Sequence, residues 1–269
     1  YMTGWTYYFC WLVTAVAEVV VITGYLRFWW PTLPLWIPPV VTVALLLSLN
    51  LTTVRAFGEI EFWFSIIKIV AILALVVVGI WMVATGFTSP GGAPASLANL
   101  WNDGGLFPHG FDGFAGAFQI AVFAFVGTEL IGTTAAEAED PEVTLPRAIN
   151  AIPVRILLFY LGALAAIMCV TPWREVSADS SPFVAMFTLA GLGVAASVVN
   201  FVVTTAAASS ANSGMYSTSR MLFGLAEAGQ APAVFAGLSK RSVPAPALLL
   251  TCAALLTSIP LPSYPEVRV

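Results

Sequence analysis

The chain has 269 residues, 59% of them hydrophobic and only 9% charged, where an average soluble domain carries about 25% charged residues. So few charges exclude a soluble globule: most of the exterior must be apolar, and only a bilayer tolerates that on this scale. A net charge of -4 offers no basic footprint for nucleic acid, and Cys10, Cys169, Cys252 and the single His109 show no metal-ligand or disulfide spacing, so neither metal nor cofactor is expected.

A spanning helix needs about 20 mostly apolar residues. Seven such stretches are predicted, at 5–26, 35–54, 62–87, 114–135, 153–172, 188–213 and 245–261. The last is the weakest, because Pro260, Pro262 and Pro265 interrupt it. The expected fold class is an all-α integral membrane protein with about seven transmembrane helices, one membrane domain over 1–269 without a soluble module. Tyr1 to Trp5 lacks a basic n-region, so no cleavable signal peptide is expected before the first span. The loops after spans two, four and six hold Arg55, Arg147, Arg155, Arg220, Lys240 and Arg241, and those after spans one, three and five hold Arg27 and Arg174. This asymmetry puts the first set in the cytoplasm and turns the Gly/Pro-rich loop 88–113 outward. Trp29, Trp30, Trp36, Trp101 and Trp173 fall near the outer ends of spans, as an aromatic belt requires.

Three ionisable residues lie at predicted membrane depth, where each costs at least about 2.5 to 3.5 kcal/mol and marks a functional hypothesis. Glu18 shares a helical face with Thr14 and Tyr25 in the first span. Two readings are open, a carboxyl facing a site and a protonated bridge between helices. Lys68, in the third span, has Ser65 and Glu61 on its face. It either snorkels to the cytoplasmic headgroups or faces an interior where it could exchange a proton, which makes it a proton-coupling candidate. Glu129 follows Gly127 and Thr128 in the fourth span, with Gly132, Thr133 and Thr134 beyond. Such poor helix formers at mid-depth fit a broken helix, whose freed N–H and C=O groups hold charged substrate groups, although Gly116, Gly127 and Gly132 could instead serve close helix packing. In the sixth span, "TTAAASSANSGMYSTSR" places Thr205, Ser209, Asn212, Ser213 and Tyr216 on one polar face, expected to line a site. "EAEDPEVTLPRAI" and "RMLFGLAEAGQAPAVFAGLSKRSVP" read as amphipathic linkers at the inner surface. No nucleotide loop or nucleophile elbow is present, so an enzyme is not expected.

The segments "FGEIEFWFSIIKIVAI", "FAFVGTELIGTTAAEAEDPEVTLPRAI" and "SSANSGMYSTSRMLFGLAEAGQAP", in this order, resemble the amino acid transporter family of the amino acid, polyamine and organocation superfamily. The resemblance covers Tyr1 to Thr251 and fades in "SIPLPSYPEVRV". It implies a LeuT-type fold of inverted repeats, of which the seven spans would be family helices three to nine, a fragment not expected to transport alone. It further implies substrate binding at Gly127, Thr128 and Glu129, with Phe123 as the aromatic gate and Glu18 facing the pocket. By the same resemblance Lys68 carries the coupling proton, and Ser209, Ser210 and Asn212 lie on the helix that faces it. The implied activity is proton-coupled import of small neutral amino acids, glycine, D-alanine and D-serine, across a bacterial cytoplasmic membrane. Rival readings are a permease for branched, aromatic or basic amino acids and a non-transporting membrane receptor or sensor.

Overall fold

The computed structural model describes residues 1–51, 54–102, 104–105, 107–129, 140–176, 181–239 and 242–261, excepting the side chains at 54–58, 60, 61 and 123. Over these residues the helices run α1 (Met2–Arg27), α2 (Ile37–Asn50), α3 (Val54–Ala84), α4 (Gly110–Ala124), α5 (Pro141–Arg155), α6 (Gly162–Val170), α7 (Pro182–Leu189), α8 (Gly193–Glu227) and α9 (Ala245–Leu255). A π-helical turn, Ile156–Leu161, joins α5 to α6. Pro153 lies just before it and supplies the cause, since proline lacks the N–H and crowds the carbonyl one turn back.

All seven predicted stretches carry helix, but among the described residues four segments are long and apolar enough to cross a membrane: Met2–Arg27, Phe62–Ala84, Pro141–Val170 and Gly193–Glu227. At the other three positions α2, α4 and α9 have 14, 15 and 11 residues, short of the roughly 20 that a crossing needs. Each has a local cause. α2 begins only at Ile37 with two prolines in its first turn, and α9 begins after Pro244 and tightens into a 3-10 turn at Leu256–Ser258. α4 stops at Ala124, ahead of Gly127, whose φ is +108°.

The sixth prediction is wrong at both ends. α7 closes at Leu189 with Gly191 at φ +75°, where Leu192 N–H donates to Phe187 O and Gly191 N–H to Thr188 O, both at 3.0 Å. This double bond pattern over a left-handed residue is a Schellman stop. α8 then starts at Gly193 and continues to Glu227, into the first part of the segment read as a linker, until Gly229 makes the same stop.

The chain forms two compact units, 1–68 with 198–269, and 69–197. In the first, α1 buries Tyr8, Trp11, Ala15, Val19 and Ile22, a stripe at helical spacing. Ala15 and Val19 join Val43 and Leu46 of α2, Ala211 and Met215 of α8, and Leu248, Cys252 and Leu255 of α9 in one apolar cluster. Gly214 lets α8 come close to α1, since a Cβ there would lie 3.1 Å from the Ala15 Cβ. In the second unit, Gly79 of α3 faces Ala166 of α6 and Met186 of α7 closely enough that a Cβ would need both to move. Loop residues also meet in this unit: Ser96 N–H and Asn99 Nδ2 both donate to Cys169 O at 2.9 Å, and Ser89 Oγ donates to Glu175 Oε2 at 3.0 Å. The loops after the third and fifth predicted spans therefore pack together, which agrees with their assignment to one side of the membrane.

Candidate functional site

Lys68 stands near the midpoint of α3 and inside its apolar stretch, which has the highest mean hydropathy of the four candidate spans, 2.9. A charge there must find partners or reach a headgroup. Its Nζ donates to Ser209 Oγ at 2.9 Å, and Ser209 is buried on α8. The next residue, Ser210, hydrogen-bonds to the half-buried Glu18 carboxyl of α1, which also feels the Lys68 charge. Three helices thus contribute a lysine, a carboxyl and two hydroxyls to one polar group.

Asn212, one helical step further along α8, is 1% exposed, and its Oδ1 accepts from Asn50 Nδ2 at 2.7 Å. Asn50 also donates to Leu46 O at 2.9 Å, so its amide is fixed by its own helix before it reaches α8. Nearer the start of α8, Asn200 Nδ2 donates to Tyr25 O of α1 at 2.9 Å. The sequence reading missed Asn50 and Asn200. Both are lone amides within apolar runs, and extending the depth argument from ionisable groups to amides would have found them.

The second expected group lies in the other unit. After α4 the chain turns at 125–129: Phe125 N–H donates to Val122 O at 3.1 Å and Thr128 N–H to Phe125 O at 3.4 Å. Gly127 adopts the left-handed region, which a side chain would resist. Its N–H donates to Glu129 Oε2 at 2.9 Å, and Thr128 Oγ1 donates to Phe125 O at 3.1 Å. Here the helix has ended and a backbone amide bonds a carboxylate, the chemistry by which an interrupted membrane helix receives an anionic group. Phe123 belongs to α4 by its backbone, and its side chain lies outside the described residues, as do Gly132, Thr133 and Thr134.

The structure thus brings Glu18, Lys68, Ser209 and Ser210 together, ties Asn212 to α2, and makes one local turn of Gly127, Thr128 and Glu129. Long apolar helices carrying a lysine and a carboxyl inside them define a multi-pass membrane protein of the transporter kind. The family model for amino acid permeases matches residues 1–264, and the chain belongs to the amino acid permease family. A D-serine/D-alanine/glycine transporter of Escherichia coli is 62% identical over 259 residues, covering 96% of this chain and 55% of that protein. An amino-acid permease of Bacillus subtilis is 51% identical over 97% of this chain and 56% of its own length. An aromatic amino acid transport protein of Escherichia coli is 44% identical over 96% of this chain and 56% of its own length. The chain spans about half the length of these curated relatives. They are transporters and permeases, and the family is not one of enzymes.

Proposed function

We propose that the whole protein is a proton-coupled symporter importing small neutral amino acids, glycine, D-alanine and D-serine, across the bacterial cytoplasmic membrane. Residues 1–269 belong, in this reading, to one transmembrane permease domain. The observation that carries it is the donation from Lys68 Nζ to Ser209 Oγ at 2.9 Å, with Glu18 and Ser210 alongside. A hydroxyl accepts from an ammonium and donates to a neutral amine, so Ser209 can serve Lys68 in either protonation state. Glu18 lies close enough to feel the Lys68 charge, and loss of the lysine proton inward would reset the cycle. Asn212, held to Asn50, keeps α8 in register with this group.

Substrate carboxylate and amine are held, in this reading, at the turn of Gly127, Thr128 and Glu129, and the family resemblance also assigns Phe123 and Glu18 to substrate binding. The substrate carboxylate replaces the Glu129 oxygen on the Gly127 N–H. The choice of glycine, D-alanine and D-serine is supported by the name of the relative at 62% identity. The test is uptake of labelled glycine and D-alanine by cells expressing the native reading frame, with and without a protonophore, compared with Lys68→Ala. Accumulation that collapses with the protonophore and is lost in the variant is expected. Undiminished proton-driven accumulation in Lys68→Ala would show that the lysine only snorkels.

A further inference from the structure

Both sides of α3 are largely apolar, so its sequence pattern does not say what each side meets; burial does. One face carries Lys68, Leu75, Gly79 and Met82, which follow one another at offsets of seven, four and three. Lys68 bonds Ser209, Leu75 and Met82 are fully buried, and Gly79 lies against Ala166 of α6 and Met186 of α7. The opposite face carries Trp63, Ile66, Val70, Leu73, Val77 and Trp81, at offsets of three or four throughout, and all of them are exposed.

Among the exposed residues from Phe62 to Trp81 none is charged or an amide, and the one hydroxyl, Ser65, stands within a turn of Trp63. Exposure alone does not produce such a surface. The described side chains of α4 are exposed on every side, and there Asp112 and Gln119 interrupt the apolar run. Side-chain size also separates the two faces of α3. Helices in a bilayer approach one another through small residues and polar groups, because apolar surface gains little by leaving lipid for protein. The Gly79 face is of that kind and meets an alanine of α6. The Trp63 face instead offers bulky aliphatic and aromatic side chains, which hold a second helix at a distance and fill the space between acyl chains.

A tryptophan closes the stripe at each end. Trp63 and Trp81 are 18 residues apart and stand about 27 Å from each other along the helix axis, close to the hydrocarbon thickness of about 30 Å. Tryptophan collects at the two membrane–water interfaces, where its ring is in apolar surroundings and its N–H is wet. We propose that this stripe is the lipid-contacting face of α3 in the whole protein, with Trp63 seated at the inner interface and Trp81 at the outer one. The direction follows from the Lys and Arg asymmetry of the loops, which puts the start of α3 in the cytoplasm. The same register places Lys68, although it is near the midpoint of the helix, about 8 Å inside the inner interface and about 20 Å from the outer one. The lysine therefore belongs to the inner third of the membrane, with its ammonium turned from lipid toward Ser209.

The test uses the whole protein in proteoliposomes, with its native cysteines replaced and the substitutions Ile66→Cys, Val70→Cys, Leu73→Cys, Val77→Cys, Leu75→Cys and Met82→Cys spin-labelled one at a time. Electron paramagnetic resonance then reads collision with oxygen, which concentrates in lipid, and with a nickel chelate, which stays in water. Oxygen collision should be several-fold higher at 66, 70, 73 and 77 than at 75 and 82. The ratio of oxygen to nickel collision should be greatest at 73 and fall toward both tryptophans. Low collision with both reagents along the stripe would mean that the remaining half of the protein, or a second copy, covers it, and would overturn the lipid face. Strong nickel collision at 73 would overturn it in favour of a water-lined surface. Labels at 75 and 82 enter a packed interface, so a second measurement leaves that interface alone: quenching of the intrinsic fluorescence by brominated lipid in Trp63→Phe and Trp81→Phe. Each variant should lose emission that bromine near the headgroup end of the acyl chain quenches, and keep the share quenched from the chain terminus. Loss of the terminus-quenched share would put the tryptophans at the bilayer centre and sink the register.

Discussion

α8 and the end of α4 are both rich in small and polar residues, yet one is an unbroken helix of 35 residues and the other stops dead. In α8 four hydroxyls turn onto their own backbone. Thr204 donates to Asn200 O at 2.7 Å, Thr205 to Val202 O at 2.8 Å, Thr218 to Gly214 O at 2.8 Å and Ser219 to Tyr216 O at 2.9 Å. Each side chain is satisfied without costing a helical bond, so polarity is hidden inside the helix that bears it. Among the described residues 125–129, Thr128 makes the one comparable back-bond, and what decides the outcome is Gly127 at φ +108°. Hydroxyl density does not break these helices; the end of α4 comes ahead of a glycine that takes up positive φ, which Gly214 and Gly224 within α8 do not.

The largest effect that would break this comparison is at Gly127. Gly127→Val puts a β-branched residue into the left-handed region, at about 1 to 3 kcal/mol. Gly116, within α4, has nothing within 4 Å of where its Cβ would go. Gly116→Ala is therefore expected to stabilise by about 0.4 to 1 kcal/mol. Thermal stability of the two variants in detergent should move in opposite directions. Equal shifts would mean that the glycines of this segment act through packing and that the turn is not what ends the helix.

A smaller effect separates the hydroxyls that serve their own helix from the amide that reaches another. Asn50 Nδ2 to Asn212 Oδ1, at 2.7 Å, ties α2 to α8. A double-mutant cycle of Asn50→Leu and Asn212→Leu should give a coupling of about 0.6 kcal/mol, and not above about 1.7, the range for hydrogen bonds between membrane helices. A coupling near zero in the thermal melts would place Asn212 with the self-satisfied residues of its helix.

The membrane class, the positions of all seven helical stretches and the three ionisable positions were legible, because apolar runs and charges within them follow directly from the cost of burying polar groups in lipid. Helix ends were less legible. The stop of α8 at Gly229 was passed over because the charges of Arg220 and Glu227 suggested a linker, although Gly followed by Pro in "AEAGQAP" is itself a stop signal. The short α2, α4 and α9 were hidden for a different reason: hydropathy averages over a window, whereas helix ends are set by single prolines and glycines. The pairing of Lys68 with Ser209 could not be read from periodicity at all, since residues 141 positions apart meet only through the packing of whole helices. There, family resemblance named the residues that local patterning could not connect.

The smallest predicted effect is the sharpest test of the self-satisfied hydroxyls. Thr204→Val keeps the shape of the side chain and removes only the donation to Asn200 O. That carbonyl lies inside α8 and retains its helical N–H partner, so the substitution orphans nothing, and the loss should stay within about 0.5 kcal/mol. Thr218 looks alike by composition but is fully buried and also lies 3.4 Å from the Thr251 hydroxyl of α9. Thr218→Val should therefore cost more than Thr204→Val, by the value of one contact between helices. If the two variants melt together, the Thr251 contact contributes nothing, and the polar content of this part of α8 is entirely internal to the helix. If Thr204→Val is the costlier, Thr204 serves something other than its own backbone, and the contrast between α8 and the end of α4 loses its physical basis.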